Sequence, residues 1–279
     1  SMTTIVRRKA LGISSVKGIV QASTTGIGYA NNYQGIPDDN VYIRWGCTSS
    51  VPNRNAHVIN SAASIHRVSD KSGFRRDMMV EGLCPKTWWS FNDTPLFLPE
   101  DEPLIVRTKT HAQGRGMWVC FNEATLSQAV DQAGPGFYIN RYIPKVAEFR
   151  VFVHQGRVVW VAQKTPANPN DVAWNVAKGG RFDNVGWGDW NMAVVNNALS
   201  VWELTKTHFA GIDVMLSADG TATCVEANSA PSQTSPYRQS CVAKAFDWMA
   251  TAGHERRLFP PVIAGAWRDA IHPAIWSRN

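Results

Sequence analysis

Asp219-Gly220 lies between two runs, Gly211 to Leu216 and Ala222 to Ala227, in which apolar and β-branched residues predominate. Asp-Gly between such runs is a strong short-range signal for an antiparallel hairpin, because both residue types accept the backbone a tight turn needs. A second pair of runs, Glu148 to Val153 and Arg157 to Lys164, flanks Gln155-Gly156 in the same manner. Helical texture follows at Trp202 to His208 and Ser240 to Thr251. Strands joined by hairpins, with helices between them, predict α+β layers with antiparallel sheets rather than a doubly wound parallel sheet.

Upstream, Leu104 to Lys109 and Met117 to Phe121 read as a strand and its return, and Glu123 to Ala133 as a helix with Asn122 as N-cap. Phe137 to Ile143 reads as a further strand. In the first third, Ile5 to Arg8 and Val41 to Trp45 are strand-like, whereas His57 to His66 and Asp70 to Glu81 read as helices, the latter closed by Gly82. With 279 residues, 44% apolar and 18% charged, the chain can bury a large core, and disorder is not expected. Its apolar runs, such as Val158 to Ala162, are far shorter than the roughly 20 residues of a membrane span, so no membrane partner is expected. The five cysteines (Cys47, Cys84, Cys120, Cys224, Cys241) show no C-x-x-C spacing. With no secretory signal pattern in the first residues, they suit reduced thiols in a cytoplasmic protein. The net charge of +6 suits anionic partners, yet the basic residues form no dense tract of the kind nucleic-acid binders carry.

Three groups of residues could carry chemistry. Arg107, Lys109 and Arg115 surround a loop, Gln113-Gly114-Arg115-Gly116, whose glycines let backbone N–H groups approach an oxyanion. Read alone, this is equally a glycine-rich hairpin with surface cations. It is not a P-loop, since no G-x-x-x-x-G-K-[ST] occurs. Asp213 and Glu226 lie on opposite arms of the Asp219-Gly220 hairpin, and period-2 alternation puts Asn228 on the same face as Glu226. Two carboxylates and an amide oxygen among apolar neighbours make a hard-oxygen set suited to Mg²⁺, although solvated acids on an edge hairpin would look similar. Glu148 and Arg150 alternate on one face of a strand, where a surface ion pair is the ordinary reading.

Taken in order, these pieces resemble the ATP-grasp proteins, in particular the ribosomal-protein glutamate-ligase-like branch. That branch reads strand-K and then Q-G-x-G; here Arg107 precedes Gln113-Gly114-Arg115-Gly116 at the same spacing. Its hinge strand is similar to Asn140-Arg141-Tyr142-Ile143, its D-I-R to Glu148-Phe149-Arg150, and its basic residue on the next strand to Lys164. Its N-x-x-x-G-G is similar to Asn175 through Gly179-Gly180, its G-(V/I)-D to Gly211-Ile212-Asp213, and its E-x-N to Glu226-Ala227-Asn228. The likeness runs over about 104–235, and Val58-Ile59-Asn60, Asp70-Lys71 and Cys84 to Thr87 resemble the looser pattern upstream. Arg107 stands where the branch has lysine, Arg141 where it has an acid, and the step from Lys164 to Asn175 is about one residue longer than the branch's pattern. His111, Trp118, Trp174, Trp187 and Trp190 take no role from the resemblance, and the tryptophans are read as packing aromatics.

The resemblance implies an ATP-grasp fold: two α+β subdomains whose antiparallel sheets grip ATP, preceded by a small α/β N-terminal domain. The implied divisions are 1–87, a lid subdomain at 88–143, and a metal-bearing subdomain at 144–279. It implies phosphates at Arg107, Lys109 and 113–116, the nucleoside at Asn140, Arg141, Tyr142, Ile143 and Glu148, and Mg²⁺ (Mn²⁺ as an alternative) on Asp213, Glu226 and Asn228. Arg150, Lys164 and Asn175 would serve the chemistry. The implied reaction is ATP-dependent amide formation between a carboxylate and an amine through an acyl-phosphate. Substrates would be small molecules, peptides or proteins; nothing in the sequence supports a nucleic-acid-linked acceptor. A kinase of the same fold, or a nucleotide-binding protein without turnover, is the alternative.

Overall fold

β-branched and aromatic runs set three sheets in this protein, whose computed structural model describes residues 2–8, 12–32, 35–95, 102–110, 116–170 and 180–251. The first sheet has the order β2-β1-β3-β4, from β1 (Thr3–Arg7), β2 (Gly28–Asn31), β3 (Val41–Trp45) and β4 (His57–Ile59), all parallel. Helix α1 (Ile13–Ala22) crosses between β1 and β2, as parallel pairing requires. The segment expected as a helix at 57–66 divides instead into β4 and α2 (Ala62–Ser69). Asn60 takes a left-handed φ of 63° between them, and Ser61 begins the helix by accepting from Ser64 N. Pairing with β3 overrides the local pattern here, because a parallel edge strand gains its hydrogen bonds from a distant segment. Helix α3 (Lys71–Val80) falls where expected, with the Asp70 side chain accepting from Gly73 N.

The second sheet has the order β5-β8-β6-β7, from β5 (Thr87–Trp88), β6 (Leu104–Arg107), β7 (Met117–Cys120) and β8 (Tyr138–Arg141), all antiparallel. Helix α4 (Glu123–Ala133) starts where Asn122 accepts from Thr125 N at 2.9 Å. Leu104, Val106, Cys120 and Ile139 pack with Leu126 and Ala129 of α4, so this face of the sheet is an apolar core. Arg107, Tyr138, Ile105 and Asn140 share the opposite face, as the register shows.

The third sheet has the order β11-β10-β9-β12-β13 and is antiparallel throughout: β9 (Ala147–His154), β10 (Arg157–Thr165), β11 (Arg181–Asn184), β12 (Phe209–Leu216) and β13 (Ala222–Asn228). Both expected hairpins form. Gln155 and Gly156 have φ of 51° and 72°, the doubly left-handed turn that matches strand twist. Helix α5 begins at Met192 and ends at Thr205, where Lys206 turns left-handed, so the expected helix at 202–208 is the tail of a longer one. One face of the sheet packs Val151, Val153, Val161, Ile212 and Val214 against Val194, Ala198 and Trp202 of α5. The other face packs Phe152, Trp160 and Phe209 against α6 (Pro236–Thr251) and against Ile5, Ile43 and Trp45 of the first sheet. Trp190 is buried in the α5 core and Trp118 lies in the α4 core, as packing aromatics. Cys47, Cys84, Cys120, Cys224 and Cys241 are all free thiols.

Candidate active site

Side chains on alternate positions of β9, β10, β12 and β13 converge on one face of the third sheet. Arg150 is opposite Asp213, Lys164 is opposite Glu148, and Asp213 is opposite Glu226. A bulge follows Asp213, where Val214 pairs with Cys224, leaving Val225 as the extra residue. The bulge keeps Glu226 and Asn228 on the face of Asp213 while Cys224 turns into the core.

The charges close a network. Arg150 grips Asp213 with two bonds, Nε to Oδ1 at 2.8 Å and Nη2 to Oδ2 at 3.1 Å. Lys164 Nζ donates to Asp213 Oδ2 at 2.8 Å and to Glu148 Oε1 at 2.9 Å, and Lys145 Nζ reaches Glu148 Oε2 at 2.6 Å. Asp213 is 2% exposed and Glu148 4%, so a lone charge at either would be costly. Burial opposes ionisation of Asp213, but Arg150 and then Lys164 outweigh it and hold the carboxyl well below the usual range. Burial likewise opposes the charge on Lys164, and Asp213 and Glu148 reverse it, so its ammonium is held more firmly than usual. The pair Glu148 and Arg150, ordinary as a surface ion pair in sequence, is therefore part of a largely buried array of five charged residues.

Lys71, at the start of α3, is the residue that sequence patterns understated. Its Nζ donates to Ala227 O and lies 3.4 Å from Asn228 Oδ1. Burial lowers its pKa, Glu226 and Asp213 oppose that, and Arg107 adds to it, so this lysine gives up its proton more readily than Lys164 does. Arg107 thus faces the same region from the second sheet. Arg75 of α3 ties the two sheets: its Nη2 donates to Val225 O at 2.9 Å, and its guanidinium lies 5.1 Å over the Tyr138 ring. The sequence predicts a helix at 70–81, but only the Asp70-Lys71 pair, through the resemblance, tied it to the site.

On the second sheet, Asn140 is buried and its Oδ1 accepts no hydrogen bond from the described residues, while Nδ2 donates to Arg141 O at 3.1 Å. Arg141 points to the other face, 5.8 Å over Trp88 and 3.4 Å from Glu102, so at the expected hinge only its backbone is on the cleft side. Tyr142 N donates to Pro103 O, and Ile143 is half-buried beside it. Lys109 is exposed with its stem along Gly136, and its carbonyl accepts from Ser72 N of α3. Gly116 closes β6 to β7 with φ of 68°, and a Cβ there would lie 2.5 Å from Thr108 Oγ1. Gln113, Gly114, Arg115 and Asn175, with His111, Trp174 and Gly179, lie outside the described residues.

Among the described residues no cluster of three or more His, Cys, Asp and Glu side chains is arranged to hold a metal. What Asp213, Glu226 and Asn228 offer is two carboxylates and an amide on one face, with Asn228 Nδ2 3.5 Å from Glu226 Oε1. This all-oxygen set fits a hard divalent cation such as Mg²⁺, which binds through one or two carboxylates plus phosphate oxygens.

The family model described as RimK-like ATP-grasp domain matches residues 88–248. Among solved structures, D-alanine–D-alanine ligase from Bacillus anthracis is similar over 88% of this chain and 95% of its own, with a TM-score of 0.64 at 14% identity. The ATP-grasp ligase PsnB complexed with minimal precursor, Mg and ADP is similar over 91% and 97%, with a TM-score of 0.62 at 10% identity. A RimK domain ATP-grasp protein from Sphaerobacter thermophilus is similar over 87% and 98%, with a TM-score of 0.60 at 12% identity. No curated protein matches the chain.

Proposed function

The chain belongs to the RimK-like ATP-grasp family, and on that premise we propose that it is an ATP- and Mg²⁺-dependent ligase joining a carboxylate to an amine through an acyl-phosphate. The observation that carries the reading is the single sheet face on which Glu148, Arg150, Lys164, Asp213, Glu226 and Asn228 converge, with Lys71 beside Asn228 and Arg107 facing the same region from the second sheet. ATP would lie between the second and third sheets, with its base at 140–143, where Asn140 Oδ1 offers an acceptor. The division into 1–87, 88–143 and 144–279 belongs to the same proposal, as does a cytoplasmic location. Among the described residues no helix is long and apolar enough to cross a membrane.

Asp213, Glu226 and Asn228 would hold Mg²⁺, which when bound supplies positive charge to the phosphate oxygens. Lys71, beside Asn228, and Arg107, from the second sheet, would add further positive charge. A substrate carboxylate oxygen attacks the γ-phosphorus, and the bond to the ADP oxygen breaks. The amine nitrogen then attacks the acyl carbon, loses a proton, and phosphate departs with the C–O electron pair. Arg150 spends Nε and Nη2 on Asp213, which leaves Nη1 to steady the oxyanion formed in that second step. Lys164 fixes Asp213 and Glu148 and keeps that array from rearranging when the nucleotide enters. PsnB is seen with a minimal precursor and the macrocyclase MdnC from Microcystis aeruginosa with a precursor peptide, which supports including peptide or protein substrates beside small ones.

The test is product stoichiometry with pooled acids and amines. ADP and phosphate should form in equal amounts, and hydroxylamine should capture the acyl group as a hydroxamate when an acid alone is supplied. Arg150→Ala should slow amide formation about a hundredfold while Mg·ATP still binds. A stable phosphorylated product without free phosphate would make the protein a kinase instead.

A further inference from the structure

The converging face changes character within a few residues. Glu148, Arg150, Lys164 and Asp213 are charged, whereas Phe152, Trp160 and Phe209, one or two alternate positions further on, lie in the apolar core under α6. At the border stands Arg238, on the first turn of α6. It is 5% exposed, and its guanidinium lies 5.4 Å over the Trp160 ring and 5.9 Å over the Phe182 ring. Phe182 also receives Arg150 at 5.0 Å and Lys164 at 5.7 Å, so three cations gather around one ring.

Arg150 and Lys164 are paired with Asp213 and Glu148, but among the described residues Arg238 makes no ion pair and feels Asp183 only from beyond contact distance. Among the described residues its guanidinium donates only to a neutral group, Asn184 Oδ1. The acid nearest in sequence to that contact, Asp183, is exposed and paired with Arg181 at 3.1 Å. Burial lowers the pKa of Arg238, the like charge of Arg150 lowers it further, and the charge of Asp183 opposes the two without cancelling them. A buried guanidinium held by rings and one amide lacks the opposite charge that usually justifies such a position.

A second donor beside it is also unanswered. Gln233 is 1% exposed; its Oε1 accepts from Trp160 Nε1 at 2.9 Å, and its Nε2 has no partner among the described residues. The loop carrying Gln233 is pinned from two sides. Gln233 N donates to Ser15 Oγ of α1 at 2.9 Å, and Gln239 Nε2 donates to Gln233 O at 2.9 Å. Pro231 presses on Gly211, where a Cβ would lie 2.6 Å from Pro231 Cβ, so this loop sits directly on β12 beside Asp213. Loop and helix therefore present a fixed pair of donors, one charged, next to the reacting face.

We propose that Arg238 and Gln233 form a carboxylate-binding subsite that takes a second, unreacted carboxylate of a substrate, as in an amino acid rather than its amide. The subsite rests on the ligase reading for its place beside the reacting groups. A planar guanidinium and a primary amide match the two oxygens of a carboxylate. With this subsite filled, the ligand's negative charge answers the one cation of the Phe182 group that makes no ion pair among the described residues.

The probes are matched pairs, each common amino acid and its α-carboxamide, scored by thermal shift in the presence of Mg·ADP and by ADP release with Mg·ATP. Wild-type protein should favour at least one acid over its amide by tenfold or more in half-saturating concentration. Arg238→Met should bring that ratio close to one, and Arg238→Lys should keep part of it. Gln233→Glu retains the acceptor for Trp160 and replaces the free donor with a repelling oxygen, so it should also lose the preference; it carries the test if Arg238→Met fails to fold. The shift given by Mg·ADP alone serves as the folding control. Equal response to every acid and amide in the wild type, or an undiminished ratio in the folded variants, overturns the subsite. A preference in thermal shift without any ADP release upholds the subsite and counts against the ligase reading.

Discussion

Along β9 the face that presents Phe152 and His154 to α6 presents Glu148 and Arg150 at its other end. Depth does not separate these halves, since Asp213 is 2% exposed and Phe209 on the same strand is 0%. What differs is the partner. Phe209 stacks on Trp45 and Phe152 at centroid separations of 5.7 and 5.8 Å and meets Phe246 at a tilt at 5.0 Å. Asp213 has Arg150 and Lys164 instead. Burying aromatics yields net stability from area and contact, whereas a buried ion network at best roughly offsets its own desolvation. The apolar half therefore holds the sheet to α6 and the first sheet, and the charged half is maintained for what it can bind.

The largest effect that tests this division is on turnover. Glu226→Gln keeps the size of the side chain but removes a negative oxygen from the proposed metal set, and should cut turnover by about three orders of magnitude. Its thermal midpoint should stay near that of the wild type. Steady-state ADP release and a melting curve on the same sample check both halves of that statement, and near-normal turnover would remove Glu226 from the metal set.

Phe209→Ala should do the converse. Loss of a fully buried ring costs about 3–5 kcal/mol of stability, read from denaturant unfolding, while the folded fraction should bind Mg·ATP as the wild type does. A large change in nucleotide affinity at unchanged stability would mean that the two halves are not separable.

The smallest effect is in pH. His154 lies against Phe246, Trp248 and Met249 Sδ, and burial, with His208, pushes its pKa well below the ordinary histidine value. A group kept neutral in the fold takes up its proton on unfolding, so stability is complete above the unfolded value of about 6.5 and falls as pH drops below it. Asp213, depressed by Arg150 and Lys164, contributes stability above its unfolded value of about 3.9 that is lost as pH falls further. Melting curves from pH 7 to 5 should thus report the apolar half, and His154→Phe should flatten them. Below pH 4 the charged half should dominate, and the variant should then follow the wild type.

Residues near the turns are legible from the sequence alone. The Asp219-Gly220 hairpin, with Asp213 across from Glu226 and Asn228 on the same face, follows from turn chemistry and period-2 alternation, both set by neighbours along the chain. The caps at Asn122 and Asp70 are local for the same reason. The ion network is not legible there, because alternation says which residues share a face but not whether that face meets water, and Glu148 with Arg150 is the same pattern in either case. The parallel first sheet is equally hidden. His57–Ile59 becomes a strand only because β3 lies beside it, and that contact spans residues no local window contains. Lys71 reaches Asn228 and Gln233 lies beside Arg238 through packing of α3 on β13 and α6 on β10. Chain-local free energies fix turns, caps and strand faces; which charges are buried together is decided only when distant elements exclude water between them.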